Sequence, residues 1–352
     1  MGALRRESPA PDTYDRVMTR RLATVPGLYL GGLLLVALIP VWLPLAAIVD
    51  VVRRRWRMPT VRLLSFAVAW LWLEICGVTA SFLFWLVGQR RNTDLHYALQ
   101  RWWAKNLLGA LGVLCGIRVT VDNVEALKPG PVLLFSRHAS LADSLVSAYV
   151  VGHLARMKPR YVLKKELLID PCLDIVGNRL PNHFLDRSAP DSSSELVALE
   201  ELVAGLGPEG VGIIFPEGTR ANPAKRTKAL EKISSNDPER GERLATIRHL
   251  LPPRPSGAAA MVRGNATADV VIAWHVGFEG LDTFSGIHAA LARPMPPVHV
   301  VFQRFARSTV PPADAEASGA FTTWLDRRWI EIDSEVDRTL KDREAMKRST
   351  HG

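Results

Sequence analysis

The chain has 352 residues, enough for one large domain or two smaller ones, and 48% of them are hydrophobic. Its formal net charge of +9 indicates a polyanionic partner. No RNA- or DNA-binding signature is present and the basic residues flank apolar segments, so an anionic membrane or a phosphorylated substrate is favoured and no nucleic acid is expected. The three cysteines, Cys76, Cys115 and Cys172, show no CxxC spacing, which argues against a disulfide framework and favours a reducing compartment.

Two long apolar segments near the N-terminus predict membrane-embedded helices. The first, 22–49, carries no charge over 28 residues, which is enough to span a bilayer and too long for the core of a secretory signal. Pro40 and Pro44, one turn apart, predict a sharp kink in it. The second, 63–88, has Glu74 near its middle. Because a charge is costly in lipid, we expect Glu74 to be protonated or to face another helix rather than to act in catalysis.

Three arginine clusters surround these segments: one before the first, one between the two (53–62) and one after the second (90–91). A hairpin of two spanning helices would place the middle cluster across the membrane from the others, against the positive-inside rule. A re-entrant segment, kinked at its prolines, would keep all three clusters on the cytoplasmic side. Both topologies stay open. Residues 1–92 are predicted to anchor the protein in an anionic membrane with its active site on the cytoplasmic face.

The rest of the chain predicts an α/β fold. Residues 95–115 predict an amphipathic helix that either faces the core or lies in the membrane interface. The apolar runs predicted to be strands are 117–121, 132–135, 161–163, 183–185, 211–215, 270–274 and 298–302. Helices are predicted near 141–154, 192–206, 225–250 and 257–263. This alternation predicts a mixed, largely parallel sheet flanked by helices over residues 93–317, followed by a charged helix over 318–352.

A first candidate motif joins His138, directly after the strand 132–135, to Asp143. Five residues along one helix lie about 140° apart, so the two can meet only if His138 lies in the strand-to-helix turn and Asp143 in the first helical turn. Asp143 would then accept a hydrogen bond from one ring nitrogen of His138 and leave the other free as a base. The alternative is a capping box from Ser140 to Asp143, which would serve only the helix N-terminus.

The second candidate motif is Glu217-Gly218-Thr219-Arg220, which follows the strand 211–215. Gly218 permits a tight turn, Arg220 is a bidentate phosphate donor and Thr219 can add a hydroxyl. The carboxyl ends of strands are where sheets of this class bind ligands. The alternative is an ordinary strand-end turn with a surface Arg–Glu pair.

Other polar residues carry weaker signals. Arg187 is a candidate second phosphate contact, and a surface salt bridge to Asp186 or Asp191 is its alternative. His183 and His275 are expected to be structural. The sequence has no G-x-S-x-G elbow, no P-loop and no cluster of metal ligands, so we expect neither a metal nor a resident cofactor.

With these motifs the chain resembles the glycerolipid acyltransferase family typified by 1-acylglycerol-3-phosphate acyltransferases. The H-x4-D block of the family is matched by His138 and Asp143, and its Phe-Pro-Glu-Gly-Thr-Arg block is matched in full by 215–220. In a further block, roughly G-x-x-F-x-x-R, Phe184 and Arg187 match.

Two family features are altered. Pro181 stands where the Gly of the G-x-x-F-x-x-R block is expected, and the apolar strand 270–275 lacks its usual Pro. The stretch 251–257 looks like a Pro-rich turn that some members place before that strand. The resemblance covers residues 95–305 and leaves the N-terminal segments and the tail outside it.

The resemblance implies an acyl transfer. His138 would take the proton of the acceptor hydroxyl as it attacks the thioester of an acyl-CoA or acyl carrier protein, and Asp143 would orient His138 and stabilise its charged form. Glu217, Arg220 and Arg187 would hold the glycerol phosphate of a lysophospholipid. The expected acceptor is 1-acylglycerol-3-phosphate, which would give phosphatidic acid without a covalent enzyme intermediate.

Three alternatives stay open. The acceptor could be another lysolipid, such as lysophosphatidylinositol, lysocardiolipin or an acylated amino-acid lipid. A Ser-His-Asp lipid hydrolase would need a nucleophile, and no serine has a recognisable elbow. A non-catalytic lipid-binding relative would lose nothing on mutation of His138.

Overall fold

The computed structural model describes residues 11–186, 192–314 and 318–349. Its first elements are three long helices, α1 (Pro11–Ala37), α2 (Ile39–Val52) and α3 (Pro59–Leu86). The axes of α1 and α2 form an angle of 68°, and the break directly precedes Pro40, so the predicted kink is present. A proline in the first turn of a helix has no N–H to leave unpaired, which favours starting a new helix there. By length and composition, α3 could cross a membrane, and so could the bent pair if it forms one span.

These helices leave much of their apolar surface uncovered. Leu22 on α1 is 70% exposed and Val52 at the end of α2 is 75% exposed. Exposed apolar surface on this scale is typical of membrane or partner contacts. Glu74, a polar residue of α3, is buried and accepts a hydrogen bond of 3.0 Å from the indole N–H of Trp103. Trp103 belongs to the next helix, so Glu74 faces another helix as expected.

The α/β region, residues 93–349, contains one seven-stranded sheet. Its strands are β1 (Val119–Asp122), β2 (Val132–Ser136), β3 (Lys158–Lys164), β4 (His183–Leu185), β5 (Gly210–Ile214), β6 (Asp269–Val276) and β7 (Val298–Phe305). Their order is β1-β7-β6-β2-β5-β3-β4, and all neighbouring pairs are parallel except β6 with β7. The sheet is therefore mixed and largely parallel, as predicted.

Helices cover both faces of this sheet. They are α4 (Thr93–Cys115), α5 (Asp143–Ser147), α6 (Pro171–Ile175), α7 (Ser192–Ala204), α8 (Pro223–Asn236), α9 (Pro238–Leu244), α10 (Pro255–Gly264), α11 (Phe284–Leu291) and α12 (Ser318–Ser349). Successive residues of β2 alternate between two cores: Val132 packs with α4 and α5, and Leu133 packs with α7 and α10. The charged helix α12 packs its apolar face, including the buried Trp329, into the same core as Leu133, α7 and α10.

Two local differences from the predicted helices have clear causes. The single helix predicted over 225–250 is two helices, because Asp237 caps α9 through a hydrogen bond from the backbone N–H of Arg240 and Pro238 follows at the first position. The short helices α6 and α11 were not predicted, since neither is long enough to display a period.

Both ends of the bent α1–α2 pair contact the α/β region. Arg20 and Arg21 both bind the buried carboxylate of Asp174 on α6, at 2.9 and 3.0 Å. Beyond the end of α2, the guanidinium of Arg55 lies 2.8 Å from Nδ1 of His288 on α11. The pair therefore leaves the α/β region and returns to it.

Helix α3 lies along the same region. Near its start, the Thr60 hydroxyl is 2.9 Å from Nε2 of His288. Near its end, the Ser81 hydroxyl accepts a hydrogen bond from Arg179, which follows α6. Because these two contacts are separated by about 30 Å of helix at 1.5 Å per residue, α3 runs across the α/β region and does not project from it.

Candidate active site

The two candidate motifs lie at the carboxyl ends of neighbouring strands. The turn of His138 follows β2, and Glu217 to Arg220 follow β5, which pairs with β2 in parallel. On its other side β2 pairs in parallel with β6, and His275 is the last residue but one of β6. Parallel strands present their carboxyl ends at one edge, so the sheet order brings all three segments together.

The hydrogen bond that closes the first motif is present. Nδ1 of His138 lies 2.9 Å from Oδ2 of Asp143. His138 is in the irregular turn after β2, and Asp143 is the first residue of α5, which is the arrangement that the spacing requires. The side chain of His138 is 18% exposed and that of Asp143 only 1%, so a ligand can reach the imidazole but not the carboxylate.

Asp143 is also held by the backbone. Its Oδ2 accepts N–H groups of Ala139 at 2.6 Å and Ser140 at 2.8 Å, and its Oδ1 accepts the hydroxyl of Ser140. The Ser140 N–H contact is one half of the capping box considered from the sequence, so Asp143 serves the backbone and His138 together.

Burial acts to raise the pKa of Asp143, but His275 and His138 outweigh it and hold that pKa well below its usual range. An ionised Asp143 accepts hydrogen bonds only. Nδ1 of His138 is therefore assigned as the donor, which leaves Nε2 as the acceptor in the neutral ring.

Glu217 links the site to its surroundings and is turned away from the open side. Its carboxylate is buried, Oε1 accepts the backbone N–H of His138 at 2.8 Å, and Oε2 accepts that of Leu251 at 3.0 Å. Burial raises the pKa of Glu217 to about 8. The sequence predicted Glu217 as a substrate ligand, whereas both of its oxygens are used by loops of the protein. A second bond, from the N–H of Ala221 to the carbonyl of His138 at 2.8 Å, ties the two motifs further.

The remaining residues of the second motif form a basic edge. Gly218 has φ +71°, a left-handed conformation that favours glycine. Nζ of Lys225 donates a hydrogen bond of 3.2 Å to the hydroxyl oxygen of Thr219. Arg220 is half-buried, and its Nη1 has no hydrogen-bond partner among the described residues, so the protein leaves part of this guanidinium's donor capacity unused. Sequence reasoning missed Lys225, which lies on α8 and gave no motif signal.

Arg254 was also missed as a site residue, although its Pro-rich turn had been singled out. Its backbone N–H donates to the carbonyl of Pro216 at 2.8 Å, and its exposed side chain passes within 3.3 Å of where a Cβ on Gly218 would stand. The bond from Leu251 to Glu217 anchors the same turn. The Pro-rich turn is thus part of the edge that carries the second motif.

Other candidates have different positions. Arg187 lies outside the described residues, as does Asp191. Asp186, an alternative partner for Arg187, lies 2.8 Å from Nζ of Lys165. His183 binds Glu195 at 2.7 Å, which fits the structural role expected for it.

His275, which was expected to be structural, is beside the catalytic candidates. Its Nε2 lies 3.2 Å from Oδ1 of Asp143, and its side chain is 4% exposed. The guanidinium of Arg137 donates to its carbonyl oxygen and pairs with Glu279 at 3.2 Å. The sequence could not reveal this position, because the pairing of β6 with β2 joins segments far apart in the chain.

Two further observations bear on the chemistry. Among the described residues no group of three or more His, Cys, Asp or Glu side chains could hold a metal ion. The hydroxyl of Ser140, two residues after His138 in the chain, donates to Asp143 rather than to His138. Within the described part, His138 therefore has no serine nucleophile bonded to it, and it is free to act on a hydroxyl that a substrate brings.

Two sequence comparisons and one structural comparison relate this chain to known proteins. A protein-family model described as Acyltransferase matches residues 118–275, from just before β1 to His275. The chain is 25% identical over 294 residues to the 1-acyl-sn-glycerol-3-phosphate acyltransferase epsilon of Mus musculus, over 78% of this chain and 75% of that protein. It also matches the crystal structure of the 1-acyl-sn-glycerophosphate (LPA) acyltransferase PlsC from Thermotoga maritima. That match has 16% identity and a TM-score of 0.41, and it covers 74% of this chain and 94% of the other.

Proposed function

Because the chain belongs to the glycerolipid acyltransferase family, we propose that it transfers a fatty acyl group from an acyl thioester to the free hydroxyl of 1-acylglycerol-3-phosphate, giving phosphatidic acid. The observation that carries this proposal is the His138–Asp143 pair, bonded at 2.9 Å and tied by Glu217 to the basic edge. These contacts support the proposal, because a base at His138 would lie beside groups suited to a phosphate.

The reaction uses His138 twice. Its Nε2 removes the proton from the acceptor hydroxyl while that oxygen attacks the thioester carbonyl. As the new C–O bond is completed, the C–S bond breaks and the leaving thiolate takes the proton back from His138. Asp143 holds the ring through Nδ1 and stabilises the imidazolium between the two transfers. No bond to the enzyme forms, so holding two substrates in register supplies much of the rate.

The acceptor phosphate is assigned to the basic edge. Arg220 offers a half-buried guanidinium, Lys225 adds positive charge beside Thr219 and Arg220, and Arg254 adds it beside Gly218. Arg187 is proposed to join them on the strength of its family block. The donor, acyl-CoA or an acyl carrier protein, is expected to approach the exposed face of His138, and no resident cofactor is required.

The N-terminal helices are proposed to embed in an anionic membrane without crossing it. Three observations support this: the bent α1–α2 pair returns to the α/β region, α3 lies along that region, and the outward faces of these helices are apolar. All three arginine clusters can then remain on the cytoplasmic side, which satisfies the positive-inside rule. Acyl chains would stay in lipid while the headgroup reaches His138.

The test is acyl transfer by the purified protein. Acyl-CoA and acyl carrier protein should each be offered with a panel of lysophospholipids, and product formation measured by mass spectrometry. We expect 1-acylglycerol-3-phosphate to have the highest kcat/KM. A higher value for lysophosphatidylinositol or lysocardiolipin would move the assignment to that acceptor. No transfer with any pair by well-folded protein would refute the proposal and favour a non-catalytic relative.

A further inference from the structure

Two histidines share the carboxylate of Asp143. His138 approaches Oδ2 at 2.9 Å, and His275 approaches Oδ1 from the other side at 3.2 Å. The register of the sheet fixes this approach: Ser136 of β2 is opposite Ala273 of β6, and His275, two residues on, projects to the same face as Ala273. The contact therefore follows from the sheet and does not depend on a mobile loop.

His275 is an unusual residue for its surroundings. It is nearly fully buried, and neither ring nitrogen has an aligned hydrogen bond among the described residues. A buried polar group without a partner costs free energy that an apolar side chain would avoid. Nε2 already lies 3.2 Å from Oδ1 of Asp143, so an aligned hydrogen bond requires a change in the orientation of the ring and no change in its position.

The charged groups around His275 come from three segments. Asp143 faces it from α5. Arg137, in the turn after β2, donates to its carbonyl oxygen and pairs with Glu279, which follows β6. The ring of Phe278 meets the imidazole edge-on at 5.2 Å. Arg137 and His275 both act on Glu279 and lower its pKa against the effect of burial, whereas Asp143 is the carboxylate that the His275 ring approaches directly, at 3.2 Å.

We propose that His275 is a positioning residue for acyl transfer, which holds Asp143 from the side opposite His138 and limits how strongly that carboxylate retains the proton on His138. This inference rests on the proposed function, since it concerns the base of that reaction.

The physical basis is competition for one carboxylate. A donor at Oδ1 withdraws negative charge from Asp143 and weakens its hold on the imidazolium at Oδ2. When that donor is removed, Asp143 stabilises the protonated form of His138 more. His138 then gains its proton at higher pH and returns it less readily to the leaving thiolate. The acid limb of the pH profile should therefore move to higher pH and kcat should fall, whereas substrate binding is unaffected.

The experiment uses three variants of the full chain. His275→Phe keeps an aromatic ring without a donor, and His275→Gln places an amide N–H where Nε2 was. His275→Asn is equally polar but its shorter amide cannot reach Oδ1. We expect kcat to fall about tenfold in the Phe and Asn variants with both KM values within about twofold of wild type. In both variants the acid limb of the pH profile of kcat/KM should move to higher pH. His275→Gln should restore most of the wild-type kcat and the wild-type pH profile.

A matched control is His299→Phe on the neighbouring strand β7, which removes an imidazole bonded to Asp122 at 2.7 Å. Because His275 is opposite Val300 in the sheet, His299 projects to the other face, and its loss should change neither quantity. If the Phe variant does not fold, the Gln and Asn pair decides. A lower kcat with an unmoved acid limb, or equal damage in Gln and Asn, would show a merely structural role and overturn the inference while the proposed function stands. A wild-type protein inactive with every substrate pair overturns both.

Discussion

The α/β region and the N-terminal helices are both rich in Leu, Val, Ile and Trp, but the first buries these side chains and the second exposes many of them. In the α/β region every residue of β2 and β5 is buried, because helices cover both faces of the sheet. On α1 and α2, residues such as Leu22 and Val52 are largely exposed. The first region is complete as a folded core, whereas the second needs lipid or a partner to cover it.

The contrast assigns the two regions different tasks. The α/β region positions polar groups at strand ends with distances near 3 Å, since a packed sheet holds its loops rigidly. The N-terminal helices contribute no residue to the hydrogen bonds of the site in the described part of the chain. Changes in the α/β region should therefore alter chemistry, and changes in the helices should alter attachment.

The largest effect should come from the base. His138→Ala removes the proposed base, so kcat should fall by about 10²- to 10⁴-fold with folding intact. Steady-state acyl transfer measures the rate, and circular dichroism checks the fold. A well-folded variant with normal turnover would falsify the assignment of His138.

Asp143→Asn is the companion variant that separates two roles. Asparagine caps a helix as well as aspartate does, so a purely capping Asp143 predicts near-normal turnover. If Asp143 instead stabilises the imidazolium of His138, turnover should fall about 100-fold, because the amide carries no charge.

A smaller and more selective effect is expected at the basic edge. Arg220→Lys keeps the charge but loses the planar fork, so the KM for the lysophospholipid should rise about tenfold while that for the acyl donor stays within about twofold. Kinetics with each substrate varied in turn provide the measurement. Arg156→Lys is the control, because this exposed arginine precedes β3 and so lies at the opposite end of the parallel β3–β5 pair from the second motif. A rise confined to the acyl-donor KM would assign Arg220 to the donor.

The next prediction concerns the stability of the α/β region, which should depend on pH through Glu217. Its pKa in the folded protein, about 8, lies above its ordinary value of 4.5, so its contribution to stability is full below pH 4.5 and is lost as the pH rises through 8. Across that window the free energy of unfolding should fall by about 1.4 kcal/mol per pH unit more in wild type than in Glu217→Gln. Denaturant unfolding in detergent at several pH values tests this, with the exposed Glu125→Gln as control. Parallel curves for wild type and Glu217→Gln would contradict the protonation of Glu217.

The sequence predicted each strand within a few residues, the kink before α2 and the closure of His138 on Asp143, because these depend on local period and spacing. It did not reveal the inward turn of Glu217, the proximity of His275 or the basic residues Lys225 and Arg254. Those depend on which strands are neighbours and on where loops of the folded chain meet. Local patterns carry no information about either.

The smallest effect on activity, and the sharpest test of the contrast, concerns the connection between α2 and α3. Arg57→Cys introduces a thiol at an exposed position of that connection, and Glu231→Cys introduces one on the exposed face of α8. Both should be made in a Cys76→Ser background, since Cys115 and Cys172 are buried. If the bent α1–α2 pair is re-entrant, an impermeant thiol reagent should leave both sites unlabelled in intact cells and label both after permeabilisation, with acyl transfer nearly unchanged. Labelling of Arg57→Cys alone from outside would place the connection across the membrane from the α/β region. The contacts of Arg55 and Thr60 with His288 could not then exist in the membrane-bound protein, so the re-entrant arrangement would be wrong while the assignment of His138 would stand.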